Sequence, residues 1–152
     1  MTHTTRVISK PISLALLLFL ALLLGCTEDT PNPIDLAMGH FNCIWQGDAN
    51  ERILRALGHC TNPPQALNIT GPDTLSVRDV AGRLGQLMNR QPKFTGEEAP
   101  TVWLNNPARS TELFGEPTTK LETLLRWTAH WTLNQGRSLG KPTHFEVRDG
   151  KY

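Results

Sequence analysis

The apolar positions between residues 41 and 96 follow two different periods in turn. Short, mostly apolar runs typical of strands occur at 41–45, 66–70 and 93–95. Between these runs, apolar residues recur every three or four positions, as on one face of a helix. The order strand, helix, strand, helix, strand predicts an α/β fold.

The first predicted helix begins near Asp48. Asp is a favoured N-cap, and Glu51 stands three residues later, which is the spacing of a capping box. Ile53, Leu54 and Leu57 then recur at helical spacing, so they predict the stripe that faces the core.

The second predicted helix has the most regular apolar pattern of the chain. Ser76 is its expected N-cap, Asn89 its expected end, and Pro92 prevents the helix from resuming. The positions predicted to be buried are Val77, Val80, Ala81, Leu84, Leu87 and Met88.

Two further helices are predicted beyond an extended segment at 101–104. Asn106 followed by Pro107 is a typical helix start, and Thr119 with Glu122 has the spacing of a second capping box. The last helix should bury one side, formed by Leu121, Leu124, Leu125, Thr128 and Trp131. Trp127 and Trp131 lie one turn apart, which fits either core packing or a surface for a partner.

The first 26 residues have a different character. Arg6 and Lys10 precede an apolar run at 12–24, which is the pattern of a secretory signal. This run is shorter than the roughly 20 residues that span a bilayer. The segment Leu23-Leu24-Gly25-Cys26 resembles a bacterial lipobox, which implies lipidation of Cys26 and attachment to a membrane. A plain signal or membrane anchor, or a misplaced start codon, are the alternatives.

These patterns divide the chain into four parts. They are an apolar signal-like segment at 1–26, a linker at 27–40, an α/β region at 41–135 and a polar tail at 136–152. The 15 basic and 14 acidic residues are nearly balanced, so the charge gives no reason to expect a nucleic-acid partner.

The cysteines and histidines do not predict a metal site. His40, Cys43, His59 and Cys60 lack the Cys-x-x-Cys spacing, and adjacent side chains cannot easily converge on one ion. Export would permit a disulfide between Cys43 and Cys60. Otherwise, both are expected to act as small apolar side chains.

The segments "LNITGPDTLSVRDVAGRLGQL", "PKFTG" and "NNPARSTELFGEPTTKLETLLRWTAHW" occur in this order. Together they resemble the C-terminal part of an extended short-chain dehydrogenase/reductase, of the NAD-dependent epimerase/dehydratase family. The resemblance covers about 33–131. It implies an incomplete α/β fold: the C-terminal portion of a Rossmann-type domain, with short strands alternating with about four helices, behind an N-terminal apolar helix. It also implies NAD(P) as the cofactor of the complete family, and a cytoplasmic location, in conflict with the signal-like N-terminus.

Two motifs that the family's chemistry needs are missing. A glycine-rich turn lets the pyrophosphate approach a helix N-terminus, but Gly82 and Gly85 fall inside a predicted helix. The family also uses a Tyr-x-x-x-Lys pair for proton transfer, whereas Tyr152 is the only tyrosine and the last residue. We therefore predict no catalytic and no cofactor-binding residue in this chain.

The resemblance does suggest residues that could bind substrate. Trp45, Gln46 and Asp48 match the strand-to-helix turn that borders the family's substrate cleft, and Asn106 stands where many members have Asp. Phe41 stands where sugar-nucleotide epimerases usually have Arg, which argues against a nucleotide-sugar substrate. The alternative is structural: a core Trp45, a capping Asp48 and a solvent-facing Gln46.

Three functional hypotheses follow. The first is a fragment of an NAD-dependent epimerase/dehydratase-like protein that is inactive alone. The second is a membrane-attached binding or interaction module, and the third a subunit that completes a split oxidoreductase. In the family, the strand that matches 67–70 joins a large parallel sheet. We therefore expect an exposed apolar edge that a nucleotide-binding domain or a second copy of the chain would cover.

Overall fold

The computed structural model describes residues 32–100, 102 and 104–137. Within these ranges the chain forms four α-helices and four two-residue strands. The helices are α1 (Gln46–Ala56), which continues into a 3₁₀ turn (Leu57–His59), α2 (Val77–Met88), α3 (Ala108–Phe114) and α4 (Leu121–Leu133). The strands are β1 (Ile34–Asp35), β2 (His40–Phe41), β3 (Leu75–Ser76) and β4 (Phe94–Thr95). This mixed α/β content confirms the predicted fold class.

The strands form two separate two-stranded sheets in the part of the chain that the structure describes. β1 runs parallel to β4, with Ile34 opposite Phe94. β2 runs antiparallel to β3, with Phe41 opposite Leu75. The strand predicted at 41–45 is therefore shorter and begins one residue earlier, and β4 occupies two of the three residues predicted at 93–95.

The prediction of a strand at 66–70 is wrong. These residues are irregular, and no described strand pairs with them. Leu67 and Ile69 are half-buried and Thr70 is buried, so the apolar pattern is real. A strand also needs ladder hydrogen bonds to a neighbouring strand, and no described strand forms them with this segment.

The predicted linker at 27–40 contains residues that belong to the fold. Ile34 is 3% exposed and Leu36 is 1% exposed, and both lie in the hydrophobic core. The backbone N–H of Ile34 donates to the carbonyl of Lys93 at 2.8 Å, and that of Leu36 donates to Thr95 at 3.0 Å. The globular part thus begins several residues before Phe41.

The core is built where α2 packs against α4, beside the strands. It consists of Ile34, Leu36, Phe41, Cys43, Val77, Val80, Ala81, Leu84, Met88, Leu124, Leu125 and Ala129. Five of the six apolar positions predicted for α2 are buried, and Leu87 is the exception at 43% exposure. The predicted caps of α2 are confirmed, since Ser76 accepts from the N–H of Asp79 and Asn89 has the left-handed conformation (φ 53°) that commonly ends helices.

The start of α4 differs from the prediction. Its N-cap is Lys120, with no side-chain capping bond, so Thr119 and Glu122 form no capping box. The N–H of Thr119 donates to Asp48 instead, and Glu122 pairs with Arg83 of α2. Leu124, Leu125 and Thr128 are buried as predicted, whereas Trp131 is 47% exposed.

The predicted start of α3 is close to the observed one. The side-chain oxygen of Asn106 accepts from the N–H of Ala108 at 2.9 Å, so it satisfies a free donor of the first turn.

None of the described helices has the length and hydropathy needed to cross a membrane. The predicted N-terminal apolar helix, with Cys26, and the tail from residue 138 lie outside the described residues.

Candidate functional site

The ring of the first candidate residue, Trp45, packs against its neighbours in the structure. It takes an extended conformation just before α1 and packs against the core. Its ring centroid lies 5.3 Å from that of Trp127 on α4, with the two planes tilted by 60°. A Cβ on Gly47 would come within 2.1 Å of the Trp45 ring. The ring thus lies over the backbone of Gly47, which agrees with the structural alternative for Trp45.

Asp48 does not cap α1, contrary to the prediction. The helix begins at Gln46, so Asp48 lies in the first turn with its side chain buried. One carboxylate oxygen accepts from the hydroxyl of Thr118 at 2.7 Å, and the other accepts from the N–H of Thr119 at 2.9 Å. Since both oxygens are engaged, Asp48 connects α1 to the turn before α4.

Gln46 and Asn106 also have structural partners. Gln46 donates from its side-chain amide to Asn50 at 2.7 Å, one turn further along α1. The backbone carbonyl of Asn106 accepts from the Asn68 side chain at 3.2 Å, in addition to the cap described above. The structure therefore brings Trp45, Gln46 and Asp48 together by sequence proximity at the start of α1, while Asn106 lies with a different set of partners.

That second set is a small network of asparagines. Asn42 donates to the carbonyl of Asn105 at 2.6 Å and accepts from the N–H of Asn105 at 3.4 Å. Together with the bond from Asn68 to Asn106, these contacts join the segment after β2 and the irregular 66–70 segment to the entrance of α3. They position Asn106, whose side-chain oxygen caps α3.

Arg52 is a buried residue that the sequence prediction missed. It is 1% exposed and lies one turn after Asp48, on the same face of α1. Its Nη2 donates to the carbonyl of Gly115 at 2.5 Å, whereas Nη1 has no hydrogen-bond partner among the described residues. The spacing of four from Asp48 was the available signal, because it places both polar side chains on one helix face.

A cavity of about 230 Å³ opens beside this pair. Its lining is mostly charged and comprises Asp48, Glu51, Arg52, Arg55, Phe114, Glu116, Pro117 and Thr118. Arg55 pairs with Glu51 at 2.9 Å and lies 4.9 Å above the centre of the Phe114 ring. Most of these charged groups thus already have partners within the protein.

The outer face of α1 is apolar, which reverses the prediction. Ile53 is 39% exposed, Leu54 68% and Leu57 70%, although these residues were expected to face the core. The side that faces the protein carries Asp48, Ala49 and Arg52 instead. The polar contacts of Asp48 and Arg52 with residues 115–119 set this orientation.

The two described cysteines are free thiols, so no disulfide joins them. Cys43 is buried, and this burial, with a smaller contribution from Asp73, raises the pKa of its thiol to about 12. Cys60 is exposed at the end of the 3₁₀ turn. No group of three or more potential metal ligands occurs in the described ranges.

No protein-family model matches the chain, and no curated protein matches it either. Solved structures do match. RMD from Pseudomonas aeruginosa, complexed with NADPH, matches with a TM-score of 0.61 and 12% identity over 82% of this chain and 43% of its own. UDP-glucuronic acid 4-epimerase from Bacillus cereus, in complex with NAD, matches with a TM-score of 0.60 and 18% identity. The match covers 78% of this chain and 40% of the epimerase chain.

UDP-galactose 4-epimerase is a third match, with a TM-score of 0.51 and 20% identity over 70% of this chain and 36% of its own. At these identities the likeness establishes the fold. The chain has part of the fold of NAD(P)-binding epimerases and reductases, as the sequence resemblance predicted. It spans 36% to 43% of the length of these structures.

Proposed function

We propose that this chain is the substrate-side, C-terminal part of an NAD-dependent epimerase/dehydratase-type fold, and that it has no turnover alone. The observation that carries the proposal is the mismatch in coverage. The fold likeness extends over 82% of this chain but only 43% of the RMD structure. The sequence lacks both the glycine-rich turn and the Tyr-x-x-x-Lys pair.

The contacts at the start of α1 favour a structural role for Trp45 and Asp48 rather than a catalytic one. The carboxylate of Asp48 is fully engaged by Thr118 and Thr119, so it is not placed to exchange a proton with a substrate. Trp45 is fixed by its contact with Trp127. Such preorganised side chains can form part of a cleft wall, while the cofactor and the acid/base pair come from a nucleotide-binding unit.

Titration of the isolated chain with NADH and NADPH, followed by cofactor fluorescence, tests this proposal. We expect no saturable change up to high micromolar concentrations. A complete enzyme of the family serves as the positive control. Saturable micromolar binding by the isolated chain would overturn the proposal, because it would require a nucleotide site within these residues.

A second candidate function is a membrane-attached interaction module. The Leu23-Leu24-Gly25-Cys26 pattern favours it, together with the exposed apolar side chains on α1 and α4. Intact-mass and peptide analysis of the protein from its native membranes should find a lipid-modified Cys26 as the first residue. An unmodified Met1 in a soluble fraction would rule this function out.

A further inference from the structure

Helix α1 presents its apolar side outward. Leu54 and Leu57 are 68% and 70% exposed, while Arg52 is 1% exposed. Leu54 lies roughly 200° around the helix axis from Arg52, so the two residues are on nearly opposite faces. An amphipathic surface helix normally places its apolar face inward. α1 does the reverse with respect to the rest of the described structure.

The contacts of α1 explain how this orientation is held. Of its residues, only Ala49 is a buried apolar side chain, and none belongs to the main cluster that α2, α4 and their neighbouring segments form. Polar bonds hold it instead, from Thr118 and Thr119 to Asp48 and from Arg52 to Gly115. The apolar face of Ile53, Leu54 and Leu57 therefore contributes nothing to the core described here.

The segment at 66–70, which follows α1 and its 3₁₀ turn, also lacks a partner strand among the described residues, although its sequence predicts one. Residues 66–70 have the apolar composition of a strand, yet no described strand pairs with them. In α/β proteins a helix packs its apolar face on a sheet, and the strand next to it in sequence joins that sheet. An apolar helix face followed by an irregular apolar segment that pairs with no described strand is what we expect when the sheet is supplied from elsewhere.

We propose that Ile53, Leu54 and Leu57, together with residues 66–70, form a docking surface for a nucleotide-binding α/β unit. Residues 66–70 add to the edge of its sheet, and the apolar face of α1 covers it. This inference rests on the proposed function and names the partner surface. The occupant follows from the matched structures, which contain NADPH or NAD and whose chains extend well beyond the part matched here.

The surface formed by Ile53, Leu54 and Leu57 carries no charged side chain, so it suits the apolar face of a sheet better than a charged partner. The nearest ionic groups on α1, Glu51 and Arg55, form an ion pair with each other at 2.9 Å. The face between them and the 3₁₀ turn is thus apolar and locally neutral. Sheet faces covered by helices are apolar in the same way.

A photo-cross-linking amino acid placed at Leu54 or Leu57 of the full chain, in the cells that produce it, tests the inference. Leu133 on α4 is the matched control, since it is also apolar and 55% exposed. We expect positions 54 and 57, but not 133, to form a product whose peptides include a glycine-rich nucleotide-binding loop. Such a product supports the inference whether the loop lies on a separate chain or on the same polypeptide. In a second arm, the double substitution Leu54→Lys with Leu57→Lys should lower the yield of a cross-link from a probe at residue 67 at least tenfold, while Leu133→Lys should leave it unchanged.

The outcomes separate the two proposals. No product, a product with a second copy of the chain or with lipid, or equal products from 54, 57 and 133 would overturn the docking surface. If the isolated chain also fails to bind NAD(P)H, the proposed function survives such a result. Saturable cofactor binding by the isolated chain would instead overturn the proposed function, whatever the cross-links show.

Discussion

The carboxylate of Asp48 accepts a hydrogen bond from the backbone N–H of Thr119 at 2.9 Å, across 71 positions of sequence. The same carboxylate accepts from the Thr118 hydroxyl, so one side chain fixes the turn before α4 against the first turn of α1. The orientation of α1, and with it the exposure of its apolar face, depends on this contact and on that of Arg52 with Gly115.

Asp48→Asn should destabilise the fold by about 1–3 kcal/mol, since a buried charged acceptor becomes an amide that can satisfy only one of the two donors. Urea unfolding followed by circular dichroism measures the change. Glu112→Gln, at an exposed position of α3, is the control and should shift stability by less than about 0.5 kcal/mol. Equal effects of the two substitutions would contradict the role given to Asp48.

Arg52 allows a different comparison, because its charge is buried and no carboxylate pairs with it among the described residues. Arg52→Met keeps most of the side-chain volume and removes the unpartnered Nη1, so it should be more stable than Arg52→Ala by about 1–2 kcal/mol. The alanine variant leaves a cavity between α1 and residue 115. Urea unfolding of both variants tests this order, and a methionine variant as unstable as the alanine variant would show that the charge itself is required.

The sequence predicted α2 well and α1 poorly, for a physical reason. The caps Ser76 and Asn89 and the apolar stripe of α2 are local signals, and the core receives that stripe. The burial of Asp48 and Arg52 depends on residues 115–119, more than 60 positions away, which no local pattern reveals. The prediction therefore assigned the apolar side of α1 to a core that lies on its other side.

The strands and the candidate site also depend on distant contacts that the local sequence does not reveal. A β-strand is defined by its partner, so the apolar run at 66–70 could not show that the described residues contain no partner for it. Trp45, Gln46, Asp48 and Asn106 were identified as candidates from their positions. In the structure, both carboxylate oxygens of Asp48 accept from Thr118 and Thr119, Gln46 donates to Asn50, and Asn106 caps the start of α3.

The outer face of α1 should tolerate polar substitution in the isolated chain. Leu57→Lys should change the free energy of unfolding by less than about 0.5 kcal/mol, because Leu57 is 70% exposed and lies outside the core. Leu125→Ala, which truncates a fully buried side chain of α4, should cost about 2–5 kcal/mol. A large loss on Leu57→Lys would show that residues of this chain cover the face.

The two described thiols should differ sharply in reactivity. Cys60 is exposed, whereas the Cys43 thiol is buried with its pKa raised to about 12, so it carries little thiolate near neutral pH. Maleimide labelling at pH 7.5, mapped by peptide mass spectrometry, should modify Cys60 within minutes and leave Cys43 unmodified until denaturant is added. Protection of Cys60 when the full chain is labelled in the cells that produce it would support the proposed docking surface, since Cys60 follows Leu57 by three residues.

The same thiol predicts a dependence of stability on alkaline pH. The pKa of Cys43 is raised from 9.0 to about 12 in the folded chain, so between these values the unfolded state has lost a proton that the folded state keeps. Stability should therefore fall as the pH rises from 9 towards 12. Urea midpoints at pH 8 and pH 10.5 measure this loss. The Cys43→Ala variant, although less stable throughout, should show a smaller decrease between the two pH values. An equal decrease in both proteins would assign the effect to other groups.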